Sequence, residues 1–312
     1  MRRRVVIIGK NRLAAECLKT VIAAGDEVVR AVADPADDGT DGWQPSFRAA
    51  ATNAGLPVDA PANVNDDAFV ASLRALMPDF LLSFQAAQIL RRPLIESASV
   101  ATLNLHFGPL PRYRGVAPIA WAIINGEAST GVTIHHIDPG VDSGAIVQAA
   151  AVPIEPADTG RSLYDKCTDA GIELFRLAWP GIRTDAPAGS PQDEAGVLYY
   201  NRHSVDFSRR TIEWSSDAKA IADWARAMIF PPFQHPEVVL GGTRLEVRGV
   251  RWDRGLHSGR PGQILATEDA SLTVAAPGGQ VTLMPLHHDG QTVDADWLAK
   301  WGFVPGALLD PG

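Results

Sequence analysis

The stretch Asn104-Leu105-His106 sets an amide and an imidazole two residues apart at the end of an apolar run, Ala101–Leu105. Side chains alternate along a strand, so Asn104 and His106 share a face. An amide donor beside a group that moves protons near neutral pH is a pairing suited to chemistry. The run passes into a proline-rich, basic loop, Pro109-Leu110-Pro111-Arg112-Tyr113-Arg114-Gly115-Val116-Ala117-Pro118, stiff enough to hold a site. A second apolar run, Val132–Ile137, leads through Asp138-Pro139-Gly140-Val141 to the carboxylate of Asp142. A carboxylate near an imidazole stabilises the imidazolium, so the expectation is a raised His106 pKa.

Other titratable clusters carry less. His135 and His136 are neighbours on a strand, face opposite ways and cannot chelate one ion together. One is read as facing the core and one as exposed, with a secondary role near the acceptor open to either. Cys17 and Cys167 lie in helix-like segments without a CxxC pair or a Cys/His cluster, so no metal and no disulfide is expected.

The elements that must position these residues alternate in type. Val5–Ile8 reads as a strand, Leu13 to Ile22 as a helix with apolar positions three and four apart, and Val28–Val32 as a second strand. Phe69–Leu76 reads as a helix, Phe80–Ser83 and Ala101–Leu105 as buried strands, and Ser162–Phe175 as an amphipathic helix. This pattern predicts an α/β domain with a mostly parallel, Rossmann-like sheet over residues 1–183, and open sheets of that kind place ligands beyond the carboxyl ends of their strands. Residues 184–204 read as a linker rich in Ala, Pro, Gly, Ser, Asp and Gln. Residues 205–312 open with a helix at Ala218–Met228. Short strands follow at Val238–Leu240, Leu245–Val250, Gln263–Ala266, Leu272–Ala275 and Val281–Pro285, with turn signals at Gly241-Gly242 and Gly278-Gly279. They predict a small, OB-like β-barrel.

Nucleotide motifs are missing. After the first strand comes Gly9-Lys10-Asn11-Arg12-Leu13-Ala14, with one glycine where a dinucleotide fingerprint needs three, and no GxxxxGK[ST] occurs.

Taken together, the two polar stretches resemble the signature of the 10-formyltetrahydrofolate-dependent formyltransferases, the methionyl-tRNA and amino-sugar enzymes among them. The matching residues are Asn104-Leu105-His106, Leu110-Pro111-Arg112-Tyr113-Arg114-Gly115, Pro118, Thr130-Gly131-Val132-Thr133 and Asp142-Ser143-Gly144, in order and spacing over some 40 residues. Pro261-Gly262-Gln263-Ile264-Leu265-Ala266 resembles the family's C-terminal domain. The resemblance implies that Asn104 stabilises an oxyanion, that His106 transfers protons and that Asp142 tunes it. It implies a folate site on backbone at Gln88, Ile89 and Leu90 and on the loop Asp138, Pro139, Gly140 and Val141. It implies 10-formyltetrahydrofolate as co-substrate and no metal. Arg112 and Arg114 either meet an acidic acceptor or the glutamyl tail of folate, or brace their loop. The chain departs from the family at Gln85-Ala86-Ala87 and at Val116, which bears on the acceptor rather than the reaction.

Three functions remain in view: a formyltransferase acting on a small-molecule amine (an amino-sugar nucleotide or N5-hydroxyornithine), a methionyl-tRNA formyltransferase, and a non-catalytic folate-binding or interaction protein. The tRNA enzymes of the family carry a basic insertion after the second strand. Here the segment from Asp34 to Trp43 holds four aspartates and no lysine or arginine, and the chain as a whole carries a net charge of −8. Acidic surface repels phosphate, so no nucleic-acid partner is expected. The apolar run after Arg2-Arg3-Arg4 is too short for a signal peptide and no 18-residue apolar stretch occurs, so the expectation is a cytoplasmic protein without a membrane partner. The C-terminal barrel is a candidate homodimer interface.

Overall fold

The computed structural model describes residues 2–184, 187–255 and 259–312. Two residues of the expected linker, 185 and 186, lie outside that set. The chain forms two compact units, each assembled from several segments. The first comprises residues up to Pro118, Thr130–Val152 and Asp165–Asn201; the second comprises Ile119–Ser129, Pro153–Tyr164 and Arg202–Gly312.

In the first unit the order is β1 (Arg4–Gly9), α1 (Asn11–Ala23), β2 (Glu27–Ala33), α2 (Phe47–Asn53), β3 (Val58–Asp59), α3 (Asp67–Ala75), β4 (Phe80–Phe84), α4 (Arg92–Ile95), β5 (Ala101–His106) and β6 (Arg114–Gly115). After α5 (Pro118–Ile124) come β7 (Ser129–His136), β8 (Ile146–Pro153), α6 (Gly160–Ile182) and β9 (Tyr199–Tyr200). The seven-stranded sheet runs β3-β2-β1-β4-β5-β7-β8. Its first five strands pair in parallel, as expected, and β7 then joins β5 antiparallel. Val5, Val6 and Ile7 have no exposed surface, the mark of a central strand covered on both faces. Helix caps follow local chemistry. Asp66 accepts from the backbone N–H groups of Ala68 and Phe69 at the start of α3, and Ser46 accepts from Ala49 at the start of α2. Edge strand β8 was not expected from the sequence. Its Gln148-Ala149-Ala150-Ala151 centre is largely exposed and carries no apolar alternation.

The second unit contains α7 (Ala218–Met228) and β10 (Glu237–Leu240), β11 (Thr243–Val247), β12 (Val250–Arg254), β13 (Ile264–Glu268), β14 (Ser271–Ala276), β15 (Gly279–Leu283), β16 (Leu286–His288) and β17 (Gln291–Thr292), closing with α8 (Ala295–Lys300). The expected barrel is two four-stranded antiparallel sheets, β10-β11-β16-β17 and β12-β15-β14-β13. Val238, Leu245 and Leu286 of one sheet and Leu272, Val274 and Val281 of the other meet in one core, with Ile221 of α7 and Leu298 of α8.

The single strand expected over Leu245–Val250 is broken. Thr243–Val247 belongs to one sheet and Val250–Arg254 to the other. The chain turns at Gly249, where a Cβ would collide with the Met284 carbonyl, so only glycine lets the two backbones approach. Segments from the middle of the chain complete this unit. Arg226 of α7 donates to the carbonyls of Glu155 and Asp158, and Arg161 donates to the carbonyl of Pro231. Among the described residues no helix is long and apolar enough to cross a membrane.

Candidate active site

The antiparallel pairing of β5 with β7 sets Asn104 opposite His135 and His106 opposite Thr133. Thr133 is fully buried and clamps the turn after β5: its hydroxyl donates to the Gly108 carbonyl at 2.7 Å and accepts from the Leu110 N–H at 3.3 Å. That turn brings the Tyr113 carbonyl back onto the His106 imidazole, whose Nε2–H donates to it at 2.8 Å. A carbonyl only accepts, so the neutral imidazole carries its hydrogen on Nε2 and keeps its lone pair on Nδ1. Nδ1 lies 3.5 Å from Asp142 Oδ2.

The same argument fixes His135. Its Nδ1–H donates to the His136 carbonyl at 2.7 Å, so in the neutral ring Nε2 accepts from the Asn104 amide nitrogen at 3.1 Å. His135 Nε2 also stands 3.5 Å from Asp142 Oδ1, where a protonated ring can donate to the carboxylate. Of the histidine pair, His135 is the one that faces the cluster, at 2% exposure. His136 is half-buried and donates from Nε2 to the Pro187 carbonyl. Asn104, His106, His135 and Asp142 thus form one connected group.

Asp142 is held in a backbone conformation of φ +50°, uncommon for a residue with a side chain. The Gly115 N–H donates to its Oδ2 at 2.9 Å. Gly115 itself sits at φ +94°, and a Cβ there would strike the Tyr200 carbonyl, so the Arg114-Gly115 pair cannot be varied at the glycine. Burial alone would raise the Asp142 carboxyl. The charge of a protonated His106, a hydrogen bond from His135 in its protonated form and the Gly115 N–H overcome it and bring the value down to about 2.

The expected rise of the His106 pKa is corrected by its surroundings. Burial, with 7% of the residue exposed, pushes the imidazole below its ordinary value. Asp142 and the Tyr113 carbonyl pull upward without winning, and His135 adds to the depression. His106 is therefore neutral at pH 7, the form that can take up a proton.

The sequence matches the formyl transferase family over residues 3–178 and the formyl transferase C-terminal domain over residues 206–300. The chain belongs to the formyltransferase family. Methionyl-tRNA formyltransferase of Citrifermentans bemidjiense is 32% identical over 98% of this chain and 96% of its own. That of Geotalea uraniireducens is 29% identical over 98% and 97%. The N-formyltransferase from Helicobacter canadensis shares the fold, with a TM-score of 0.77 at 22% identity over 92% of this chain and all of its own.

In this formyltransferase the expected folate positions are placed unevenly. Leu90 is buried in the core with Val64, Val70 and Leu94, whereas Ile89 is 71% exposed. Gln88 accepts from the Val64 N–H, and the Ile89 carbonyl accepts from the Asn65 amide. Asp138 folds its own loop, accepting from the Gly140 N–H and the Ser143 hydroxyl, while Pro139, Gly140 and Val141 are exposed. The two arginines differ. Arg114 is 7% exposed and its guanidinium is engaged by Gln192 and Glu194, the bracing arrangement. Arg112 is exposed, its guanidinium 5.4 Å from the Tyr113 ring centroid. Site groups that sequence reasoning did not single out are the Tyr113 carbonyl, the Gly115 N–H, Thr133 and Gln192.

Proposed function

We propose that this formyltransferase moves the formyl group of 10-formyltetrahydrofolate onto the amine of a small molecule, an amino-sugar nucleotide or N5-hydroxyornithine. The observation that carries the reading is the neutral, buried His106 beside the Asn104 amide donor and the Asp142 carboxylate. The acceptor nitrogen attacks the formyl carbon, forming the new C–N bond and driving the carbonyl electron pair onto oxygen. The second hydrogen of the Asn104 amide donates to that oxygen, a contribution typically on the order of 10²–10³ in rate. His106 takes the amine proton on Nδ1, where Asp142 stabilises the imidazolium. The oxygen pair then re-forms the carbonyl, the C–N10 bond breaks, and N10 takes the proton back from the His106 imidazolium, giving tetrahydrofolate and a neutral His106. Gln88, Ile89 and Leu90 and the loop Asp138–Val141 are assigned to the folate, and the exposed Arg112 to an acidic group on acceptor or folate.

For the acceptor, the segment after β2 supports a small molecule. Its aspartates are spent on folding the segment itself. Asp37 accepts from Gly39, Ser46 and Arg48, Asp38 from Thr40, and Asp41 from Ser46. What it presents is acidic, and phosphate-binding surfaces are basic. The Helicobacter canadensis neighbour is described in complex with folinic acid and dTDP-3-aminofucose, a donor analogue and an amino-sugar nucleotide. Methionyl-tRNA formylation is the second reading, favoured by full-length relatives of that name. The test is tetrahydrofolate release from 10-formyltetrahydrofolate with amino-sugar nucleotides, N5-hydroxyornithine, ornithine and charged initiator tRNA. Turnover with one amine and none with tRNA is expected. Efficient tRNA formylation would overturn the acceptor assignment.

A further inference from the structure

We propose that Gln192 is a positioning residue that holds Asp142 toward His106, locking together the two loops that make the candidate site. The inference rests on the formyl-transfer reading of that site. Gln192 Nε2 donates to the backbone carbonyls of Asp142 at 2.8 Å and Gly144 at 2.7 Å, using both amide hydrogens. Its Oε1 accepts from Arg114 Nη2 at 2.8 Å and Nε at 3.0 Å, using both lone pairs. Arg114 is followed by Gly115, whose N–H holds the Asp142 carboxylate at 2.9 Å. The bonds close a ring from Gln192 to the Asp142 backbone, through the Asp142 carboxylate to Gly115, and through Arg114 back to Gln192.

The ring answers a local difficulty. Asp142 is at φ +50°, a conformation that a side-chain-bearing residue keeps only where its surroundings impose it. Gln192 supplies that constraint through the Asp142 and Gly144 carbonyls, and paired backbone bonds between Ser190 and Ile146, 2.8 Å each way, bring its segment there. Only an amide of this length satisfies both sides. A carboxylate at 192 could accept from Arg114 but not donate to two carbonyls, and a methionine could do neither. Glu194 is a second acceptor for Arg114, with Oε1 2.9 Å from Nη2, so bracing of the arginine alone does not require Gln192.

The test uses Q192M and Q192E in the full chain, with thermal melting as a folding check. Two readouts are taken: steady-state formyl transfer, and the NMR titration of His106, which needs neither acceptor nor turnover. Both variants should lose about ten- to a hundredfold in kcat with little change in acceptor KM, as a small displacement of a reacting group does. In Q192M the His106 titration should move to lower pH, because the carboxylate that pulls it upward is no longer held. Adding Q192M to D142N should then cost nothing further. Wild-type turnover in Q192E would make Gln192 a brace for Arg114 only and sink the proposal. So would an unmoved His106 titration in folded Q192M, or a loss in Q192M that D142N leaves undiminished. Should the wild-type chain release no tetrahydrofolate with any acceptor, the formyl-transfer reading fails, while the titration in Q192M still reports whether Gln192 orients Asp142.

Discussion

His106 spends its Nε2 hydrogen on the Tyr113 carbonyl at 2.8 Å, and this leaves Nδ1, 3.5 Å from Asp142, as its one basic nitrogen. Because burial depresses the imidazole, the acid limb of kcat/KM against pH should fall below the ordinary histidine value of about 6.5. Asp142 is the charge that pulls His106 upward, so D142N should move that limb to still lower pH while reducing turnover at pH 7. A limb that rises in D142N would contradict the assignment. His106→Ala should lower kcat by roughly 10²–10⁴.

Asn104→Ala should lower kcat by roughly 10²–10³ with little effect on either KM, since the amide is assigned to the oxygen that becomes negative only during reaction. Equal losses in kcat/KM and binding, measured by isothermal titration with the folate, would place Asn104 in ground-state recognition instead.

Gly108→Ala offers a steric test. A Cβ there would stand 2.7 Å from His106 Nε2 and 3.1 Å from the Tyr113 carbonyl, pushing the ring off the bond that fixes its tautomer. Turnover should fall on the order of tenfold or more while the fold, followed by circular dichroism, persists. Full activity would mean that this hydrogen bond does not set the reactive nitrogen.

Away from the site, Asp26 is a buried carboxylate that accepts from the Trp179 indole at 3.0 Å, from Arg183 Nε at 2.7 Å and from the Arg3 N–H at 2.9 Å. Burial works against its ionisation, but Arg183 and the Arg3 N–H outweigh it, and its pKa lies below the usual carboxylate range. A depressed carboxylate contributes stability above its unfolded value, and that contribution is lost as pH falls through the lower folded value. Asp26→Ala should therefore cost about 3 kcal/mol in urea unfolding at pH 7. The gap to wild type should narrow below pH 4; a constant gap would show that packing, not charge, is what was removed.

The pairing of Asp142 with Asn104 and His106 came only through the family resemblance, whereas the shared face of those two was legible in the sequence because strand alternation is a local signal. The parallel half of the sheet was legible for the same reason. His135 was half legible: alternation puts one of two adjacent histidines inward, but which one depends on the antiparallel register of β7 on β5. Gln192 was not legible. It lies in a stretch whose composition reads as linker, and its bond to Asp142 spans 50 residues. The sign of the His106 shift also failed to follow from sequence, since proximity of a carboxylate is suggested by motif spacing but depth of burial is not.

The patchwork make-up of the second unit bears on how the protein is made. Residues 153–164 leave the ribosome among the first unit's strands, yet the groups they bind, Arg226 of α7 and the Pro231 carbonyl, come much later. At about 5–20 residues per second, the 67 residues from 164 to 231 take roughly 3–13 s to emerge. During that interval the nascent chain carries a segment awaiting its partners. A gene split anywhere in 184–204 would put that segment and its partners on separate products.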